Sequence, residues 1–289
     1  MKKITKLCLL IAAVFGTFGI ILCFVGFIVG GGSSVIGAIR TAFTNNSFNL
    51  FASSGSYEVE KIGDETVAYS SDSSDIPYKF MADSVDELKL EMDFGNINIY
   101  ESEDSDQIEV NFYGGNQTCE LKGGTLEVKI ENNYSEAAAD IYIPAGKSFE
   151  KIEIDGDAGE LYAEALKSTG TADISADTGY ISIYSLEADE LLLSCDQGEI
   201  DISESDVKQK AEIEVDLGSI YYNPVGEESD YNYEVAADLG TVYIESQKLS
   251  GISHKRTVDN GASRTMKVSA DMGEINIYFT GSESEAGEE

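Results

Sequence analysis

The chain predicts an all-β fold, a single-stranded β-solenoid (β-helix) of about 20-residue rungs, preceded by one N-terminal transmembrane helix. Three observations predict it. An apolar or small residue runs into Asp-x-Gly and then into an alternating strand seven times: MDFGNINI (92–99), GDAGELYA (156–163), ADTGYISI (176–183), CDQGEIDI (195–202), VDLGSIYY (215–222), ADLGTVYI (237–244) and ADMGEINI (270–277). The second observation is their spacing: from Gly159 the glycines step evenly to Gly179, Gly198, Gly218 and, slightly later, Gly240. A fixed period of that size marks repeat units that bury their apolar faces only by stacking on neighbours. The third is Leu7–Val29, a run without a single charge, long enough for a bilayer core of roughly 30 Å at about 1.5 Å per residue.

The N-terminal span sets the expected topology. Lys2, Lys3 and Lys6 precede it and only Arg40 follows closely, so the N-terminus is expected in the cytoplasm and the rest outside the cell membrane. Cleavage after the Gly30–Gly32 stretch is the competing reading, since signal peptides have shorter apolar cores. Lipid attachment at Cys23 is disfavoured by bulky Leu22 before it. The expected division is a cytoplasmic stub and transmembrane helix over 1–32, a juxtamembrane stalk, linker and N-terminal cap over 33–84, the solenoid over 85–280, and a disordered acidic tail over 281–289. The low-complexity run Ser70–Asp75 falls in the linker, and the tail carries no apolar side chain but Ala286.

Charge narrows the partners. All 53 acidic residues lie beyond position 50, against 15 of the 19 basic ones, which leaves the expected exterior near −38. Such a surface repels nucleic acid and anionic lipid headgroups and favours cations or basic surfaces; it also keeps an exposed β-protein soluble. Cysteine is sparse. Cys119 and Cys195 alone lie beyond the span, too few for a disulfide framework. Cys195 occupies the slot of Ala176 and Val215 in neighbouring repeats, which makes it an inward-facing thiol.

Each repeat then reads as strand, turn, strand and polar corner. Ile174 and Ala176 point inward before the turn, and Ile181 and Ile183 after it. Leu191, Leu193 and Cys195 pair in this way with Ile200 and Ile202, as do Ile213 and Val215 with Ile220 and Tyr222. Alternation with period two marks strands with one buried face. The stretch from Gly95 to Gly159 is long enough for three periods, with degenerate strands at 108–112, 126–130 and 141–143. The stretch from Gly240 to Gly273 exceeds one period and implies a corner insertion at 247–265. A closed two-sheet sandwich is the rival fold, and it requires hairpin pairing of the strands flanking each Asp-x-Gly.

The segment MADSVDELKLEMDFGNINIYESEDSDQIEV, followed by repeated D-x-G-x-[ILV]-x-[ILV] units, resembles the bacterial putative-adhesin domain over roughly residues 80–280. The resemblance implies a single-stranded β-helical domain, often behind a membrane anchor, and supplies no catalytic residues.

Candidate chemistry is thin. Gly95, Gly159, Gly179, Gly198, Gly218, Gly240 and Gly273 read as turn formers that supply a positive φ, with Asp tying the turn to a backbone N–H. Stacked in register, Asp177, Asp196, Asp216 and Asp238 would form a ladder at about 4.8 Å. Their mutual repulsion is about 1 kcal/mol in water and about 3.5 kcal/mol at an effective dielectric of 20. A calcium ladder is the sharper alternative for these four, although the calcium β-roll repeat GGxGxDxUx does not match. Three residues after the glycines, Tyr221 and Tyr243 are expected on adjacent rungs as an exposed pair for a sugar ring or a protein surface. His254, Lys255 and Arg256 in the insertion complete the expected binding surface. No cofactor is expected. The expected protein is thus a non-catalytic, adhesin-like binding or scaffold protein for a cell-surface glycan or an envelope protein, without nucleic acid. An envelope-stress sensor or modulator working with membrane partners is the alternative, and a polysaccharide-acting β-helix enzyme a second one.

Overall fold

Parallel pairing across the Asp-x-Gly turns builds this molecule. The computed structural model describes residues 60–62, 65–70, 78–114, 116–131 and 137–281, all within the unit Gly55–Glu289. The expected transmembrane span, the stalk up to residue 59 and tail residues 282–289 lie outside the described residues. Among the described residues no helix is long and apolar enough to cross a membrane.

The centre is β9 (Phe149–Pro224), a 76-residue strand path that coils on itself. Its turns stack through the glycine column. A Cβ placed on Gly179 would sit 1.9 Å from the carbonyl oxygen of Gly159, one on Gly198 1.8 Å from that of Gly179, and one on Gly218 1.7 Å from that of Gly198. Their φ angles of 153° to 157° reinforce the demand for glycine, since that region is closed to residues with a Cβ. These glycines lie within the strand path, and each one admits the backbone of the adjoining layer.

Strand β4 (Glu87–Ser102) lies against the first turn of β9. Glu87–Met92 pairs in parallel with Lys151–Gly156, and Phe94–Ile99 with Ala158–Ala163. Strands flanking one Asp-x-Gly thus bond the next layer and not each other, which excludes the sandwich. The core follows the predicted alternation: Ile174, Ile181, Ile183, Leu191, Ile200, Ile202, Ile213 and Ile220 are all buried. Cys195 is buried as expected, with Cys119, and burial pushes both thiols up.

Two expected placements are corrected. Gly95 and Gly159 belong to adjacent layers, opposite each other in the register, so the long stretch between them contains no intervening rungs. It travels outward instead. β7 (Thr125–Glu131) and β8 (Ala138–Pro144) together form the parallel layer on the other side of β4. Antiparallel strands then close that end: β6 (Asn116–Lys122) on β7 and β5 (Ile108–Tyr113) on β8, followed by β2 (Glu65–Ser70) and β3 (Tyr78–Ala82), and by β1 (Glu60–Ile62) on β2.

The other end shows the same device. β12 (Arg264–Ile277) pairs in parallel with β9, Gly273 opposite Gly218, and on its far side with β10 (Tyr231–Ile244), Gly273 opposite Gly240. β12, later in sequence than β10, is therefore inserted between β10 and the fourth turn of β9. The expected corner insertion is β11 (Gln247–Val258), antiparallel to β10 at the end of the stack. A short crossover returns the chain inward. The Asn232 side chain accepts from the backbone N–H groups of Asn260 and Ala262 at 2.8 and 3.1 Å, and the Asn260 amide donates to the Tyr231 carbonyl at 2.9 Å. Charged side chains on β11 and a positive φ at Ser253 (56°) make its outer edge a poor template for a further strand.

Candidate binding site

The inserted β12 rearranges the predicted site residues. Asn276 pairs with Tyr221 on one side and Tyr243 on the other, so the two tyrosines are two layers apart and form no contiguous platform. Tyr221 is half-exposed, and burial of its ring beside Glu199 and Glu274 pushes its hydroxyl up to about 12. The Lys248 ammonium stands 5.1 Å from the centre of the Tyr243 ring. The aspartate order changes likewise. Asp177, Asp196 and Asp216 follow one another on successive turns, but Asp271 separates Asp216 from Asp238. All of them are exposed, and exposure screens their repulsion. Among the described residues no group of three or more His, Cys, Asp or Glu side chains is placed to hold a metal ion.

His254, Lys255 and Arg256 share β11, opposite Ala237, Ala236 and Val235. Their chemistry is largely absorbed by the end cap. Lys255 pairs with Glu234 at 2.7 Å, and Arg256 with Glu228 at 2.7 Å. The Arg256 guanidinium also covers the Tyr233 ring at 5.6 Å. Arg264 repeats the pattern two strands away, on β12, bonding Asp206 at 3.2 Å and covering Tyr231 at 5.6 Å. These contacts tie the crossover loops to the core.

Among the described residues a groove of about 580 Å³ lies elsewhere, beside the turn that follows β8. Tyr162 and Tyr184 line it with Glu101, Glu164, Glu187 and Lys167. Its geometry comes from the layer register. Tyr142, Tyr100, Tyr162 and Tyr184 stand on four successive layers; Tyr100 stacks on Tyr142 at 5.3 Å and meets Tyr162 at 5.9 Å. Burial raises the hydroxyl pKa values of these three rings, and Glu164 adds to the effect. Tyr184 is free of that stack and 58% exposed at the mouth.

Backbone groups hold the carboxylates in place. Glu101 accepts from the Gly146 N–H and Glu164 from the Glu101 N–H, both at 3.0 Å. Lys167 pairs with Glu187 at 2.8 Å. The overhanging turn is pinned by Lys147, whose ammonium donates to the Val85 carbonyl at 2.5 Å and stands 5.5 Å from the Phe149 ring centre. Exposed aromatic faces beside fixed hydrogen-bond acceptors suit a ligand with one apolar face and several hydroxyl donors. Sequence reasoning missed this groove because it followed the third residue after each glycine. The fifth carries Tyr100 and Tyr184 and was open to the same reading; Tyr142, on a strand without the motif, offered no such signal.

A parallel β-coil with glycine-locked layers, a groove beside the turn after β8 and capped ends defines a β-solenoid domain. The chain belongs to the Toastrack DUF4097 family, whose profile matches residues 43–278. A search of curated proteins finds no match. Among solved structures, a "putative cell adhesion protein" from Clostridium sporogenes is 16% identical, with 71% of this chain and 100% of that one covered at a TM-score of 0.36. A "putative adhesin" from Parabacteroides distasonis is 12% identical, covering 70% of this chain and 96% of its own at 0.29. One from Bacteroides fragilis is 12% identical, covering 71% and 98% at 0.24.

Proposed function

We propose that this chain is a membrane-anchored, extracytoplasmic binding module of the adhesin type that works without catalysis. It holds a cell-surface glycan in the groove beside Tyr162 and Tyr184. The observation that carries the reading is the pairing of the exposed Tyr184 face with carboxylates oriented by backbone N–H groups. The uncharged run Leu7–Val29 supplies the anchor and the preceding lysines its orientation. A rigid stacked scaffold suits display, because a preorganised groove loses little entropy on binding.

Titration of the full chain with a panel of purified bacterial and host polysaccharides tests this. At least one should bind, and Tyr184→Ala should weaken it about tenfold, the worth of one ring–ring contact, without altering the melting temperature. Glu164→Gln should weaken it as well. Absence of binding across the panel, or binding indifferent to both substitutions, would sink the reading. The alternative, an envelope sensor or modulator working through membrane partners, draws on a different surface at the β11 end.

A further inference from the structure

The residue between Asp and Gly faces outward in every layer, and its character changes along the stack. It is Ala158, Thr178 and Gln197 on the first three turns of β9, then Leu217, Met272, Leu239 and, on the capping strand, Ile252. These last four are consecutive neighbours across four strands: Met272 opposite Leu217, Leu239 opposite Met272, and Ile252 opposite Leu239. Met272 is 42% exposed, Leu239 46% and Ile252 80%, with Leu217 half-buried at the inner end. Single exposed apolar residues are ordinary, but an unbroken row of four is not. The adjacent column is acidic, with Asp216, Asp271 and Asp238 exposed on three of the same strands. At about 4.8 Å per layer the apolar row spans about 14 Å and the acidic row about 10 Å of it.

We infer that this stripe docks a basic amphipathic segment of a partner protein, its apolar side chains on Leu217, Met272, Leu239 and Ile252 and its Lys or Arg row on the three aspartates. Charge selects this occupant. A second copy would bring three more aspartates and a net charge of −34 against −34, and an anionic bilayer would meet the same row of carboxylates. A basic segment gains from both columns at once, steered by charge and held by apolar contact. The site is separate from the glycan groove and stands or falls independently of it.

The test uses the full chain in neutral-lipid nanodiscs and a short leucine–lysine peptide patterned to be apolar along one helical face. A scrambled peptide of identical composition reports binding by charge alone. The patterned peptide should bind at least tenfold more tightly than the scrambled one. Leu239→Ser with Ile252→Ser should remove that advantage, as should Ile252→Ser alone in part. Asp238→Asn with Asp271→Asn should weaken binding severalfold and flatten its salt dependence. Phe94→Ser with Asp93→Asn, the same exposed pair of positions near the opposite end, should change nothing. Equal binding of the two peptides, or indifference to the stripe substitutions, overturns the inference. So does concentration-dependent self-association lost on Leu239→Ser, which would assign the stripe to a second copy, or stripe-dependent binding to anionic vesicles.

Discussion

Gly198→Ala should lower the melting temperature by on the order of 10 °C, one of the largest effects available to a single added methyl group in this chain. Two costs combine. The backbone at φ 157° is one that residues with a Cβ rarely adopt, and the new Cβ would lie 1.8 Å from the Gly179 carbonyl oxygen. The obstacle is backbone of the adjoining layer and cannot rotate away, so the stack must open. Strain of this kind and overpacking cost about 1–3 kcal/mol each, for a total of about 2–6 kcal/mol. Gly261→Ala is the control. Gly261 also has a positive φ, 69°, but nothing lies within 4 Å of its added Cβ, so about 1 kcal/mol is expected. Thermal melts of the two variants should differ clearly.

The inserted strand gives the second large effect. Val268 of β12 is fully buried, with Ile213 of β9 opposite on one side and Val235 of β10 on the other. Val268→Asp would place an unpaired carboxylate between two apolar layers and should cost about 3–5 kcal/mol or more, read as a lower denaturation midpoint. Thr257→Asp on exposed β11 should stay within about 0.5 kcal/mol. Hydrogen exchange distinguishes the two strands further. β12 is bonded on both sides and should exchange as slowly as the turns of β9, although it lies near the C-terminus in sequence. β11, with one open edge, should exchange faster.

The contrast shows what the sequence made legible. Where the glycines keep an even spacing, from Gly159 through Gly179 and Gly198 to Gly218, chain order and layer order coincide, and alternation alone identifies the core from Ile174 to Ile220. The spacing departs from that period between Gly95 and Gly159 and again beyond Gly218, and there the two orders separate. The excess over one period between Gly240 and Gly273 suffices for a capping strand, but nothing in its composition shows that the next copy of the motif returns inside it. Chain order alone makes Tyr221 and Tyr243 neighbours, and β12 parts them. Asp216 and Asp238 part for the same reason. The groove depends on a turn after β8 reaching layers formed much later in the chain, a contact that local periodicity does not encode. The apolar stripe was hidden similarly: Leu217, Leu239 and Met272 share one motif position, but only the inserted order makes them neighbours, with Ile252 added from a strand that lacks the motif.

Layer order at the β11 end is the central structural claim, and a pair of engineered disulfides measures it directly. Ser219 and Glu274 are opposite each other on adjacent strands, whereas Thr241 lies one layer further out, opposite Glu274. Adjacent layers are about 4.8 Å apart and alternate ones about 9.6 Å, and a disulfide needs Cα atoms roughly 4.4–6.8 Å apart. Under mild oxidation, Ser219→Cys with Glu274→Cys should crosslink rapidly and fully, while Ser219→Cys with Thr241→Cys stays reduced. Crosslinking of the second pair and not the first would contradict the inserted strand, and with it the contiguous stripe and the separation of the tyrosines.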